Sequence, residues 1–250
     1  MDTHQSDLII DLSHENNQLV ERFEQTKYWD IFEEILEDYE RNNYLENIQE
    51  ILEAGQSKVE ERAKIAGKDI DQVKKKAAGD YFQRLVVYAI LDEAQENGYR
   101  VLYDPQLDSH QELSSLDLDF EGESVKPDTD IVIYDPENDS PIYIFSCKTS
   151  LRERLTQSAM WKMFYSVSSH DCDDPTCPSH NYNQSGTDRE VLVGFITIDW
   201  YDELVNNDVA QLLDVGYTNN EKSVDESAGI YPIDKLRDHI FSDWTQPRSE

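Results

Sequence analysis

Cysteine is scarce: Cys147, Cys172 and Cys177 are the only three in 250 residues. A disulfide framework is therefore excluded as the source of stability. Long apolar runs are missing too. No stretch approaches the roughly 20 consecutive apolar residues that a membrane-crossing helix needs, and no leader pattern opens the chain, so a cytoplasmic protein is expected. Positive charge is the third deficit. Lys and Arg number 22 against 53 Asp and Glu, a formal net charge of −31, which opposes attraction to nucleic acid or anionic membranes at ordinary salt. Repeats and low-complexity tracts are absent.

What is present excludes disorder. Fourteen Tyr, eight Phe and four Trp sit in periodic apolar patterns, and 38% of the chain is hydrophobic, ample for a packed core. The length suits one large domain or a core domain with an appendage. A strongly acidic surface over a normal core is the pattern of a halophilic protein, in which concentrated salt screens self-repulsion.

Apolar residues at helical spacing (Leu19, Phe23, Tyr28, Ile31, Phe32, Ile35, Leu36, Tyr39) predict a small acidic helical region over 15–60. Phe82, Leu85, Val86, Ala89 and Ile90 form the stripe of a second helix that Gly98 stops before a short strand at 99–103. An acidic irregular connection should follow to about Glu123. "KPDTDIVIYD" and "IYIFSCK" then read as two strands joined through "PENDSP" in a hairpin. Leu155, Ala159, Met163 and Val167 return to a period of four, "EVLVGFITIDW" reads as a buried strand, and 202–213 as a further helix before an unassigned tail.

The chemistry concentrates at the hairpin. A period of two puts Ser146 and Lys148 on one strand face, and Asp128 and Asp130 on one face of the partner. An Asp and a Lys held together at a hairpin end can bind Mg²⁺ and orient a water for attack on a phosphodiester; a plain strand-end ion pair is the alternative. The next residues add to this. Ser150-x-x-Glu153 matches a helix capping box, which leaves Arg152 and Arg154 in a first turn where the helix dipole disfavours cations. Guanine O6 and N7 offer Arg a bidentate target and cytosine N4 can donate to Glu, so Arg-Glu-Arg suits the reading of C·G pairs. Two islands of positive charge, residues 58–84 and 141–166, each have a net of +3. They point to a polyanion site, with a solvated Lys74-Lys75-Lys76 helix face as the alternative for the first.

Pro127-Asp128 followed by Ser146-Cys147-Lys148 resembles the PD…(D/E)xK nuclease pattern, in the form with Ser in place of the acid. The Arg152-Glu153-Arg154 beyond it resembles the recognition motif of type II restriction endonucleases that cut at CCGG or CCNGG. The resemblance covers about residues 77–200. It implies an α/β fold, a mixed β-sheet flanked by helices, here with an N-terminal helical region over 1–70 and the nuclease domain over 71–250. It also implies Mg²⁺-dependent hydrolysis of both strands of DNA by a homodimer, with a cognate DNA methyltransferase as functional counterpart. Asp128 would be the metal ligand with Asp130 in reserve, Lys148 would position the water, and Arg152, Glu153 and Arg154 would read the G·C pairs.

The chain departs from that pattern in one respect. Relatives with Ser supply a second metal-binding Glu from the helix after the lysine, where this chain reads "SAMWKM", with Trp161 near the expected place. Glu93, continuing the inward stripe of its helix, is the replacement expected here, with Gln83 on the flank of the stripe as a partner for a metal-bound water. Separately, His170, Cys172, Cys177 and His180 fall within eleven residues, a set that could hold a structural Zn²⁺ or be an acidic surface loop. A repair or modification-dependent nuclease, or an inactive sequence-specific DNA-binding protein, are the competing functions.

Overall fold

The computed structural model describes residues 3–105, 107, 110–120, 123–150, 154–170, 177, 182–184, 189–199 and 210–242. Four helices come first: α1 (Thr3–Glu24), α2 (Trp29–Leu36), α3 (Ile48–Ile65) and α4 (Ile70–Glu96). Trp29 is fully buried, its ring 5.4 Å from that of Phe23, 6.3 Å from Phe32 and 6.5 Å from Tyr81. These aromatic rings join α1 and α2 to α4. The Asp69 carboxylate caps α4 by accepting from the backbone N–H groups of Asp71 and Gln72. Gly98, at φ +79°, ends the helix as read, and the Tyr99 N–H closes back onto the Ala94 carbonyl at 2.8 Å.

The stripe Phe82, Leu85, Val86, Ala89 and Ile90 is buried, and α4 packs on α1 and α3 on one side and on the sheet on the other. A single apolar cluster runs from Leu19 of α1 through α4 to Phe145, Cys147 and Ile196. Residues on both sides of 70 thus share this core through α4, which begins at Ile70.

The main sheet is mixed. Its strands, in chain order, are β1 (Arg100–Tyr103), β4 (Ile131–Tyr134), β5 (Ile142–Ser150), β7 (Val191–Asp199), β8 (Val215–Thr218) and β9 (Ile230–Pro232), which is also their spatial order. β1, β4 and β5 pair antiparallel, whereas β5, β7, β8 and β9 run parallel. The hairpin read from the sequence is β4–β5, with Ile131 opposite Phe145. Between β5 and β7 the chain crosses over through α5 (Arg154–Ser168), as the parallel pairing demands. Ile142 and Ile144 pack with Trp161 and Tyr165 of α5, while Phe145 and Cys147 pack toward α4, so the two faces assigned by the period of two are the two faces observed.

Three regions differ from the sequence reading. The acidic connection contains a 3₁₀ segment, Gln111–Leu116, then β2 (Leu118–Phe120) and β3 (Glu123–Val125), which form a separate three-stranded sheet with β6 (Tyr182–Gln184). In the stretch read as a helix over 202–213, residues 201–209 lie outside the described residues and Ala210–Leu212 is one 3₁₀ turn. The tail supplies β8, β9 and a last helix, α6 (Lys235–Phe241), completing the parallel half of the sheet. Among the described residues, no helix is long and apolar enough to cross a membrane.

Candidate active site

Lys148 lies two residues before the end of β5, and Asp130 immediately precedes β4. Hairpin register brings them together: Lys148 Nζ donates to Asp130 Oδ1 at 2.8 Å, with the side chains 24% and 17% exposed. The second carboxylate oxygen, Oδ2, accepts from the Cys147 backbone N–H, also at 2.8 Å. The Asp130 backbone is fixed as well, its N–H on the Phe145 carbonyl at 3.0 Å and its carbonyl accepting from the Asp104 N–H at 2.8 Å. The carboxylate is therefore aimed, and solvent still reaches it.

Asp128 is brought to the same end of the hairpin but not to the lysine. It is exposed, and Gln157 of α5 donates to its Oδ2 at 3.3 Å. Ser146 is buried, and its hydroxyl accepts from Ser158 of α5 at 2.9 Å. Gln157 and Ser158, two α5 residues absent from the sequence reading, thus tie that helix to both strands of the hairpin. At the position expected to lack an acid, the Trp161 ring packs against Phe164 and Tyr165. Its neighbour Lys162 pairs with Asp214 at 2.6 Å.

The structure does not bring Glu93 to this site. Its carboxylate lies 3.6 Å from Arg237 of α6. Ten residues along α4 from Gln83 correspond to about 15 Å at 1.5 Å per residue, and Gln83 is the residue that meets β5. Glu93 continues the apolar stripe of α4, but its place along the helix sets it against Arg237 instead. Gln83 donates to the Cys147 carbonyl at 2.8 Å, a buried bond that clamps α4 beside Lys148.

The acids that do lie on this side are Asp80 of α4 and Asp104, which follows β1. Both contribute, with Arg84 and Asp130, to the electrostatic surroundings of the Tyr103 phenol. Burial is the main cause that pushes the Tyr103 pKa up to about 12. Asp104 is held at φ +46°, an unusual conformation for a residue with a side chain, next to its bond with Asp130. A helix residue one turn before Arg84 carries no sequence signal of acting on Tyr103, the β1 residue opposite Ile131.

Arg152 and Glu153 lie outside the described residues, as does the side chain of Arg154, the first residue of α5. The same holds for Cys172, His180 and the side chains of Lys74, Lys75 and Lys76; His170 is exposed and Cys177 is half-buried. Among the described residues, no three His, Cys, Asp or Glu side chains group as metal ligands. The expected Zn²⁺ site thus has no support from the structure.

A mixed sheet flanked by helices, with an aspartate and a lysine joined at the end of its central hairpin, is a restriction-endonuclease-like fold. Residues 106–242, more than half of the chain, match the family described as BsaWI restriction endonuclease type 2, and the chain belongs to that family. It is accordingly a type II site-specific DNA nuclease. Among curated proteins no match was found.

Proposed function

We propose that the chain is a Mg²⁺-dependent, halophilic type II restriction endonuclease that cuts both strands of a palindromic site containing a CC…GG core, CCGG or CCNGG. The observation that carries the reading is the Lys148–Asp130 pair at the end of the β4–β5 hairpin, in a chain of this family. Mg²⁺ fits the donors present. It is a hard cation held by one or two carboxylates plus substrate phosphate oxygens rather than by an all-protein cage, and two solvent-reached carboxylates stand at this end of the hairpin, Asp130 on the lysine and Asp128 on Gln157. When bound, the ion would polarise the phosphate and activate a water.

The chain's own residues do the rest. Asp130 is the first acid of the site, in place of the Asp128 expected from the motif, because it is the one aimed at Lys148. The Lys148 ammonium spends one of its three N–H donors on Asp130, and the others can hold the attacking water and offset charge developing on the phosphate. Asp80 replaces Glu93 as the second acid, and Asp128, oriented by Gln157, is the third. Arg152 and Glu153, just before the helix that carries Gln157, and Arg154, its first residue, read the G·C pairs. A homodimer is supported by Met160 and Met163, 44% and 52% exposed on α5, an apolar surface that a second copy would cover. The cognate DNA methyltransferase would protect the same sequence.

The test is incubation with plasmid DNA and Mg²⁺ in KCl of roughly molar strength, where the Debye length is about 3 Å, followed by sequencing of the ends. Discrete fragments ending at one CC…GG-containing palindrome, abolished by a chelator, are expected. Random nicking, chelator-resistant cutting or ends at an unrelated sequence would overturn the reading.

A further inference from the structure

A groove of about 600 Å³ opens where the turn after α1, the end of α3 and the first half of α4 meet. Its basic lining residues are Lys27, Lys68 and Arg84. Two backbone features bring the lysines side by side. Gly67, at φ +64°, reverses the chain after α3, and Tyr28, at φ +76°, turns it before α2. A left-handed tyrosine is costly for a residue with a bulky side chain, and such outliers persist where the surroundings hold them. Lys27 lies 4.6 Å from the centre of the Tyr28 ring.

Lys27 and Lys68 line the same groove, and Lys27 lowers the pKa of Lys68, as a neighbouring positive charge must. In a chain with 53 acids against 22 basic residues, a groove lined by three basic residues and two acids reverses the overall balance. Arg84 continues the pattern. Its guanidinium lies over the rings of Tyr81 and Tyr103, and its buried Nε has no hydrogen-bond partner. Of the two acids in the groove, Asp69 is occupied capping α4 and Asp80 belongs to the active site proposed above.

Position assigns the ligand. Arg84 touches Tyr103, Tyr103 pairs with Ile131, and the residue before Ile131 is Asp130. The groove therefore leads away from the cleavage position. We infer that Lys27, Lys68 and Arg84 bind phosphates of the DNA backbone flanking the cleaved site, a sequence-independent grip contributed by the N-terminal helices. This rests on the nuclease reading. Lysine is a point charge suited to phosphate without base reading, and backbone contacts set register rather than sequence. The same chemistry would accept a free phosphate or nucleotide.

Lys27→Gln/Lys68→Gln in the full chain is the test, since both ammonium groups are exposed and the changes should spare the fold. Binding is measured without divalent cation as a function of salt, on duplexes with the cleaved sequence at the centre and with long or trimmed flanks. Each phosphate contact contributes about 0.9 to the slope of log affinity against log salt, so the double variant should lose about 1.8 of slope. It should weaken equally on cognate and unrelated duplexes, cut at the same positions as wild type, and respond less to flank length than wild type does, Arg84 alone remaining to sense it.

Unchanged affinity and slope would overturn the groove assignment alone. So would a loss confined to the cognate duplex, which would make these lysines base readers. Competition by inorganic phosphate with no effect of flank length would reassign the groove to a small anion. Failure of the wild type itself to bind or cut any duplex would instead remove the nuclease reading, and this site with it.

Discussion

The Lys148–Asp130 bond divides the two aspartates of Asp128-Thr129-Asp130 by role. Asp130 is fixed by Lys148 and by a backbone N–H, whereas Asp128 is exposed and reached by Gln157. Asp130→Asn and Lys148→Ala should each lower the cleavage rate by at least about 10²-fold, the scale of losing one group that stabilises developing charge. Asp128→Asn should cost less. Unfolding temperatures of all three should stay near wild type; a larger loss of rate in Asp128→Asn would return the leading role to that residue. His239 belongs to the same scale. It is buried beside Tyr231, with the Tyr217 hydroxyl at 3.2 Å, and burial lowers its pKa below the ordinary 6.5. Between the two values the unfolded chain binds a proton that the folded chain rejects, so stability is complete above about pH 6.5 and falls as pH drops through that window. Melting temperature followed downward from about pH 8 to 5 should show this loss, and His239→Phe should reduce it.

At the scale of elements, sequence and structure agree where an apolar run is buried on both faces of the sheet or an apolar stripe follows a helical period. The β4–β5 hairpin, β7 and the stripe of α4 were legible for that reason, and with them the meeting of Asp130 and Lys148. β8 and β9 were not, because strands of four and three residues inside a Gly-, Ser- and Asp-rich tail carry no period and exist by pairing, β8 with β7 and β9 with β8. Glu93 and Asp80 show the same limit from the other side: a period gives the face of a helix but not which turn meets the sheet. β7 also carries a cost that its sequence hides. Gly194 lies opposite Phe145, and a β-carbon there would overlap the phenyl ring. Gly194→Ala should destabilise by about 1–3 kcal/mol, the range for overpacking a core. Adding Phe145→Leu should recover part of that loss, giving a double variant more stable than the sum of the singles predicts; simple additivity in denaturant unfolding would show that the two do not share the space.

For the whole molecule the governing quantity is the net charge of −31. An ordinary DNA-binding protein loses affinity steeply as salt rises, because each phosphate contact releases a counterion. Here a second term opposes it. At low salt the acidic surface repels both DNA and itself, and these repulsions shrink as the Debye length falls to about 3 Å at 1 M. Ion pairs in contact, such as Lys148–Asp130, persist at that range, whereas long-range repulsion does not. Folding and cleavage should therefore both require high salt, with activity highest near or above roughly molar KCl. Affinity remaining there must come from short-range contacts, which assigns it to Arg152, Glu153 and Arg154 at the bases and to Lys27, Lys68 and Arg84 along the flank. Circular dichroism and cleavage rate measured across one KCl series separate the two requirements. Full folding at low salt with cleavage absent would place the need in DNA repulsion alone. A cleavage optimum at about 50 mM with the usual fall above it would show that counterion release dominates despite the acidic surface, and would overturn the halophilic reading.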